Sequence, residues 1–326
     1  MKDMFSCTLE GKNWWKPFLG YIAILVYIQV QLVVIKQAYP AMTDTNTMLL
    51  SLAEILVTTI VAAVFAILLM RIAIPTISIK GQHFSFAGTI SEYVTIHLTG
   101  ILLTVLTLGI YYPWYLRRIT DYLAAQTSLG GSAFSFRGTG GKLFKYLFLA
   151  VFLPLLVWII LFAGIMYTIS LTAYGPEALP LFISAGIVYF AIFIILAPGF
   201  YLLYKWYVHF EWKGQTIVWD TEFWPSVGFV AKEIALTVIT LGIYWPAMAI
   251  KLYQYFLGKT VIRSEQTETG RFSFDGTARE GFGFLWGQVL LAIVTLGIYL
   301  PWAYANIMRW FVCKVGLTAE QLSLGE

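Results

Sequence analysis

Three times in 326 residues the chain spells the same helix-breaking string at the end of an apolar run. TLGIYYPW occupies 107–114, TLGIYWPA 240–247 and TLGIYLPW 295–302. Glycine is the usual residue for a left-handed helix cap, and proline suits a first helical turn, where no N–H is needed. The string therefore predicts that Gly109, Gly242 and Gly297 close one helix and that Pro113, Pro246 and Pro301 open the next. The competing reading is a proline kink in one continuous helix.

A second string recurs upstream. FSFAGT lies at 84–89, FSFRGT at 134–139 and FSFDGT at 272–277. The first and last heads stand 23 positions before their TLGIY strings; the same count back from Thr240 reaches IVWDTE at 217–222, a worn head. The head at 134 has no TLGIY at that distance. Phe-Ser-Phe alternates as a half-buried strand does. The threonine after the glycine is placed to cap a helix. Glu92 after Thr89 and Glu280 after Thr277 stand at capping-box spacing, whereas Lys142 takes that place in the second copy.

These repeats divide the chain into an N-terminal helix pair (1–76), a first unit (77–133), a degenerate head with two spans (134–210), a third unit with the worn head (211–268), a fourth unit (269–318) and a tail (319–326). Apolar runs at 18–35, 48–70, 143–170 and 181–204 reach spanning length. Hydrophobic residues make up 59% of the chain and charged residues 12%, about half of what a soluble domain of this size carries. The expected fold class is an all-α polytopic membrane protein with internal repeats, its helical hairpins broken at TLGIYxP and its short FSFxGT strands on the cytoplasmic side.

Basic residues bear on topology. Seven alternating spans would divide the 21 Lys and Arg almost evenly, 10 against 11, which the positive-inside rule disfavours. If each TLGIYxP unit is instead a hairpin returning to its starting side, 16 fall on one side and only Lys36 in an outside loop. That arrangement places both termini in the cytoplasm. The return helices, at about 17 residues, barely suffice to cross, so the span count stays open between seven and about ten.

Aligning the return helices on their prolines places Arg118, Lys251 and Asn306 five residues on, and Asp121, Gln254 and Arg309 eight residues on. Positions three apart share a helix face. Polar faces at membrane depth commonly line a pathway; equally, amphipathic helices at the interface set their cations against headgroups. Glu54, inside the second span, reads either as a proton or substrate site or as a hydrogen-bond partner of another helix. His97 is a weaker candidate of the same kind, and His83 and His209 read as strand or loop residues near the interface. Cys7 and Cys313 stand at opposite ends of the chain and form neither a disulfide framework nor a metal motif. No GxSxG, HExxH, Walker loop or CxxC occurs, so no enzyme, metal or cofactor is expected. A net charge of +4 without a basic soluble domain argues against nucleic acid. The expected partners are the bilayer and a small solute or an anionic lipid headgroup. A small-solute or anion transporter is the favoured reading; a non-transporting scaffold or lipid-binding factor with a cytoplasmic strand collar is the alternative.

The joint pattern of FSFxGT, an apolar helix, TLGIYYPW and an Arg-bearing helix resembles the YjgN-like bacterial inner-membrane proteins, a family of unknown function. The resemblance runs over roughly 78–316 and departs at 217–222 and at Ala247, where tryptophan is missing. It implies a multi-spanning protein of the bacterial inner membrane and carries no substrate, reaction or catalytic residue.

Overall fold

The computed structural model describes residues 2–39, 43–172, 178–265 and 267–319. Apart from Ala319, the tail read at 319–326 lies outside the described residues. In chain order the elements are β1 (Lys2–Cys7), α1 (Trp15–Ala38), α2 (Asp44–Ala73), β2 (Ile77–Ile79), β3 (Gln82–Phe86), α3 (Ile90–Leu106), α4 (Tyr112–Gln126), β4 (Thr127–Leu129), β5 (Ser132–Ala133), β6 (Ser135–Phe136), α5 (Gly140–Leu147), a π-helical turn (Phe148–Phe152), α6 (Leu153–Thr172), α7 (Ala178–Ile195), α8 (Ala197–Tyr207), β7 (His209–Trp212), β8 (Gln215–Trp219), α9 (Phe223–Ile239), α10 (Trp245–Gly258), β9 (Thr260–Ser264), β10 (Thr267–Phe274), α11 (Ala278–Val294), α12 (Leu300–Cys313) and β11 (Val315–Ala319).

The all-α expectation is corrected by these eleven strands, which make the chain a mixture of apolar helices and antiparallel sheet. In FSFAGT and FSFDGT the Phe-Ser-Phe run lies in one arm of a β-hairpin, β2–β3 and β9–β10, whereas in FSFRGT only Ser135–Phe136 is strand, as β6 after the β4–β5 hairpin. The first strand of each of these hairpins follows closely on a helix: Thr127 of β4 directly follows Gln126 of α4, and β9 follows α10 after Lys259 alone. Two-residue turns join β2 to β3, β4 to β5 and β7 to β8. Lys80–Gly81, Gly130–Gly131 and Lys213–Gly214 all have positive φ, the conformation whose twist matches paired strands. The strands before those turns, of three or four residues, are too short to show alternation, so periodicity does not reveal them.

The chain forms two compact units. The first comprises 1–136 and 285–317. Its strands run in the order β5-β4-β3-β2-β1-β11. Phe84 pairs with Leu129 and stacks on Phe5 and Phe134 at centroid distances of 6.3 and 6.1 Å, so the Phe-Ser-Phe aromatics form a ladder within the sheet. Cys7, Leu9, Trp14, Phe18, Ala73 and Ala305 form a buried cluster, with Cys313 packed against it. Arg71, at the end of α2, donates from Nε and Nη2 to the Gly88 carbonyl at 2.9 and 2.7 Å, tying the second span to the first head.

The second unit is centred on 137–284, with strands in the order β10-β9-β8-β7. Tyr201, Trp219, Val227 and Val230 form its core around Ala197. The degenerate copy has a return helix after all. The run at 181–204 breaks at Leu196, and Pro198 opens α8, which leads into β7 as α4 leads into β4. Gly199 allows α8 to touch the π-turn, because a Cβ there would lie 2.6 Å from Val151. The second repeat is thus a hairpin with a spanning pair, α6 and α7, inserted into it.

Among the described residues four helical stretches are long and apolar enough to cross a membrane: Trp15–Ala38, Asp44–Thr76, Gly140–Leu171 and Leu179–Tyr207. The chain is an integral membrane protein. The return helices α4, α10 and α12 have 15, 14 and 14 residues, shorter than the expected 17.

Candidate functional site

Each TLGIYxP string ends one helix and starts another. α3 ends at Leu106 and α4 begins at Tyr112; α9 ends at Ile239 and α10 begins at Trp245; α11 ends at Val294 and α12 begins at Leu300. A continuous kinked helix is excluded in all three. The caps are Schellman motifs, with Gly109 N–H on Thr104 O and Leu108 N–H on Val105 O in the first. The left-handed C′ residue is leucine, not glycine: Leu108, Leu241 and Leu296 have φ of 51, 49 and 49°. Gly109, Gly242 and Gly297 follow at 90, 87 and 88°.

At the other end of the hairpins the threonine caps form. Thr89, Thr139 and Thr277 accept from the N–H three residues on at 3.3, 3.4 and 3.3 Å. The full capping box does not form at Thr89: Glu92 takes the Thr89 hydroxyl at 2.9 Å, and the Thr89 N–H goes to Tyr122 Oη at 2.7 Å. The worn head keeps its strand as β8, but Glu222 makes no side-chain cap.

Between these ends each hairpin closes on the tyrosine of its motif. Seven residues after that tyrosine stand Arg118, Lys251 and Asn306, the polar residues of the return helices. Eleven residues before it, on the outgoing helix, stand Gly100, Glu233 and Gln288. In the third hairpin Lys251 Nζ donates to Tyr244 Oη at 2.6 Å, and Tyr244 donates to Glu233 Oε2 at 2.7 Å. Lys251 also stands 3.5 Å from Glu233 Oε1, and the Glu233 side chain is only 1% exposed. The fourth hairpin builds the same triangle from neutral groups. Tyr299 donates to Gln288 Oε1 at 3.1 Å, while Asn306 Nδ2 reaches that oxygen at 3.2 Å and Tyr299 Oη at 3.1 Å.

The first hairpin keeps only Arg118 Nη1 on Tyr111 Oη, at 3.5 Å. Gly100 cannot carry the third group, because a Cβ there would lie 1.9 Å from Tyr115 Cδ2. The Tyr115 ring fills that space and, with Tyr93, sandwiches His97 at centroid distances of 5.5 and 5.1 Å. His97 Nδ1 is buried there without a hydrogen-bond partner among the described residues.

The sequence-derived faces are thus only half engaged. Arg309 donates to Asn306 Oδ1 at 3.1 Å and extends the fourth triangle. Asp121 is half-buried on α4, and Gln254 is exposed on α10. Glu54 accepts from Gln29 Nε2 at 2.7 Å, joining α2 to α1. His83 lies on β3 with Nδ1 3.2 Å from the Pro75 carbonyl. His209 lies on β7, where burial, then Lys142 and Arg137, push its imidazole below the ordinary 6.5. The motif tyrosines, Glu233 and Gln288 were not singled out from the sequence. The available signal was an acid or amide eleven residues before the tyrosine in two copies.

The second unit also holds an apolar cavity of about 580 Å³ between α7, α8, α9 and α10. Phe193, Phe200, Leu203, Val230, Ile234 and Leu252 line it, together with Leu241 from the hairpin tip. No charged side chain contributes to its wall. A neighbouring hollow of about 570 Å³ shares Phe190, Val238 and Leu241 with it. Among the described residues no three His, Cys, Asp or Glu side chains gather to hold a metal ion.

Repeated helical hairpins carried on short sheet strands, beside four apolar spans, define a repeat-built integral membrane protein. Residues 81–210 and 269–323 match the family described as bacterial protein of unknown function (DUF898), and the chain belongs to that family. The match omits 211–268, the unit with the worn head. Two relatives are called Inner membrane protein YjgN. That of Escherichia coli O157:H7 is 35% identical over 101 residues, 31% of this chain and 23% of the relative. That of Salmonella typhimurium is 30% identical over 125 residues, 37% of this chain and 27% of the relative. The chain thus aligns with only about a quarter of the length of these relatives. No solved structure matches.

Proposed function

We propose that this is a non-enzymatic protein of the bacterial inner membrane that holds an acyl chain of an anionic phospholipid in the cavity between α7, α8, α9 and α10. The observation that carries this reading is the cavity wall, which is almost wholly apolar, with Thr237 and two tyrosines its polar members and no charged side chain among the described residues. Its volume lies within the ~300–1,000 Å³ range of ligand sites. Phe193, Phe200 and Leu241 are exposed, so lipid has access along this side. Lys205, in the last turn of α8 and next in sequence to the cavity-lining Tyr204, is the cation we assign to the headgroup; its Nζ stands 3.4 Å from Tyr201 Oη. The names of the YjgN relatives support the inner membrane. The distribution of basic residues supports cytoplasmic termini and cytoplasmic strands.

Passage of a small solute or anion past Arg118, Asp121, Lys251, Gln254, Asn306 and Arg309 remains the second reading. What weighs against it is that Arg118, Lys251, Asn306 and Arg309 are each engaged within their own hairpin.

Native mass spectrometry of protein released from phosphatidylglycerol-containing membranes tests the first reading. One phospholipid should stay bound, be lost in Ile234→Trp and Leu203→Trp, and lose its preference for phosphatidylglycerol in Lys205→Gln. Equal retention in the filled variants would refute the site. Anion flux in proteoliposomes that vanishes in Lys251→Ala would favour the second reading.

A further inference from the structure

The leucines of the TLGIYxP tips are the most exposed large apolar side chains among the described residues. Leu108, Leu241 and Leu296 are 94, 84 and 93% exposed, and Ile110, Ile243 and Ile298 beside them are exposed too. A turn in water would place glycine or asparagine in the left-handed position that these leucines occupy. Something at the tip favours a large apolar side chain there despite its backbone cost.

The backbone at the tip is also closed on itself. In the first hairpin six successive N–H groups are all satisfied inside the turn. Thr107 donates to Leu103 O, Leu108 to Val105 O, Gly109 to Thr104 O, Ile110 to Thr107 O and Tyr112 to Gly109 O. Tyr111 N–H goes to the Thr107 hydroxyl at 2.9 Å. The next residue is Pro113, which has no N–H. The third and fourth hairpins repeat the pattern, with Tyr244 and Tyr299 N–H on Thr240 and Thr295 Oγ1 at 3.1 Å each. Within TLGIYxP, threonine thus replaces a missing acceptor, leucine and glycine make the reversal, proline removes a donor, and in the third and fourth hairpins tyrosine ties the two helices.

A turn that satisfies its N–H donors without water and presents chiefly leucine and isoleucine outward meets the donor side of the requirement for backbone surrounded by hydrocarbon. The helices are also too short to reach the far side. α3, α9 and α11 have 17 residues each, about 25 Å, against a hydrocarbon thickness of about 30 Å.

We propose that the three TLGIYxP turns lie within the bilayer hydrocarbon as re-entrant hairpin tips, with lipid acyl chains as the partner of Leu108, Leu241 and Leu296. Each hairpin then enters and leaves by the face that carries its strands, and only the four long stretches cross. This holds whatever occupies the α7–α10 cavity, so the two proposals fail separately.

The test uses the full-length protein in native membranes with Leu108→Cys, Leu241→Cys or Leu296→Cys, and Ile110→Cys, Ile243→Cys and Ile298→Cys as a second set should the first fail to insert. The unsubstituted protein gives the background from Cys7 and Cys313. A membrane-impermeant maleimide should leave the tips unlabelled both in intact spheroplasts and in inverted vesicles. Bimane placed on the tips with a permeant reagent should be quenched most strongly by phospholipids brominated deep in the acyl chain. Labelling in spheroplasts would show that the hairpins cross completely. Labelling only in inverted vesicles, or stronger quenching by shallow bromines, would place the tips at the interface. Any of these results overturns the proposal.

Discussion

Glu233 and Tyr244, eleven residues apart on the two arms of one hairpin, meet in a 2.7 Å hydrogen bond with Lys251 closing the triangle. Glu233 is buried but the Lys251 side chain is 39% exposed, and Tyr244 still donates to the carboxylate when the lysine is removed, so losing this partner costs about 1–3 kcal/mol. Lys251→Ala should therefore destabilise the protein by an amount of that order. The fourth hairpin supplies the neutral equivalent in Gln288 and Asn306. The double change Glu233→Gln/Lys251→Asn should recover most of that loss. Thermal unfolding of all three proteins in detergent, followed by Trp fluorescence, decides it. Additive losses would show that the three groups do not act together.

Gly100 should tolerate no side chain beside Tyr115. Gly100→Ala forces the overlap at Tyr115 and should cost about 1–3 kcal/mol. Adding Tyr115→Met, the residue type at the equivalent Met248, should recover part of the loss. Unfolding curves for the single and double variants measure the coupling.

The strand end of the second unit should carry a pH signature. The His209 pKa is lowered in the fold, first by burial and then by Lys142 and Arg137, so its neutral form is favoured there. Its contribution is complete above the ordinary value of 6.5 and declines as the pH falls below it toward the folded pKa. Melting temperature should therefore drop as the pH falls below 6.5, and His209→Phe should flatten that slope. An unchanged slope would assign the effect to other groups.

Reporter fusions should follow the strands. Fusions at residues 82, 132 and 268 should read as cytoplasmic, since β3, β5 and β10 all lie at the strand ends of their hairpins. Alkaline phosphatase activity at 268 would restore simple alternation of seven spans.

Much of this architecture was legible in the chain, for identifiable reasons. TLGIYxP showed the helix breaks because Gly and Pro act through their own backbone. The threonine caps were legible because capping is a local contact. The sheet was only partly legible: Phe-Ser-Phe alternates, but strands such as Thr127–Leu129 are too short to have a period, and their pairing is set by turns such as Lys80–Gly81. The hairpin triangles were half legible. Arg118, Lys251 and Asn306 stood out as polar residues in apolar helices, whereas Glu233 adjoins Lys232 in the sequence and nothing local marks it as facing the return helix. The apolar cavity was not legible, because its walls come from four helices and contain the residue types that fill any membrane span.

Lipid occupancy of the α7–α10 cavity is measured most directly by an electron cryomicroscopy map of the protein in nanodiscs containing phosphatidylglycerol. Continuous elongated density should run between Phe193, Ile234 and Leu252 and end near Lys205. An empty cavity, with instead a water-filled route past Arg118, Lys251 and Asn306, would contradict lipid binding.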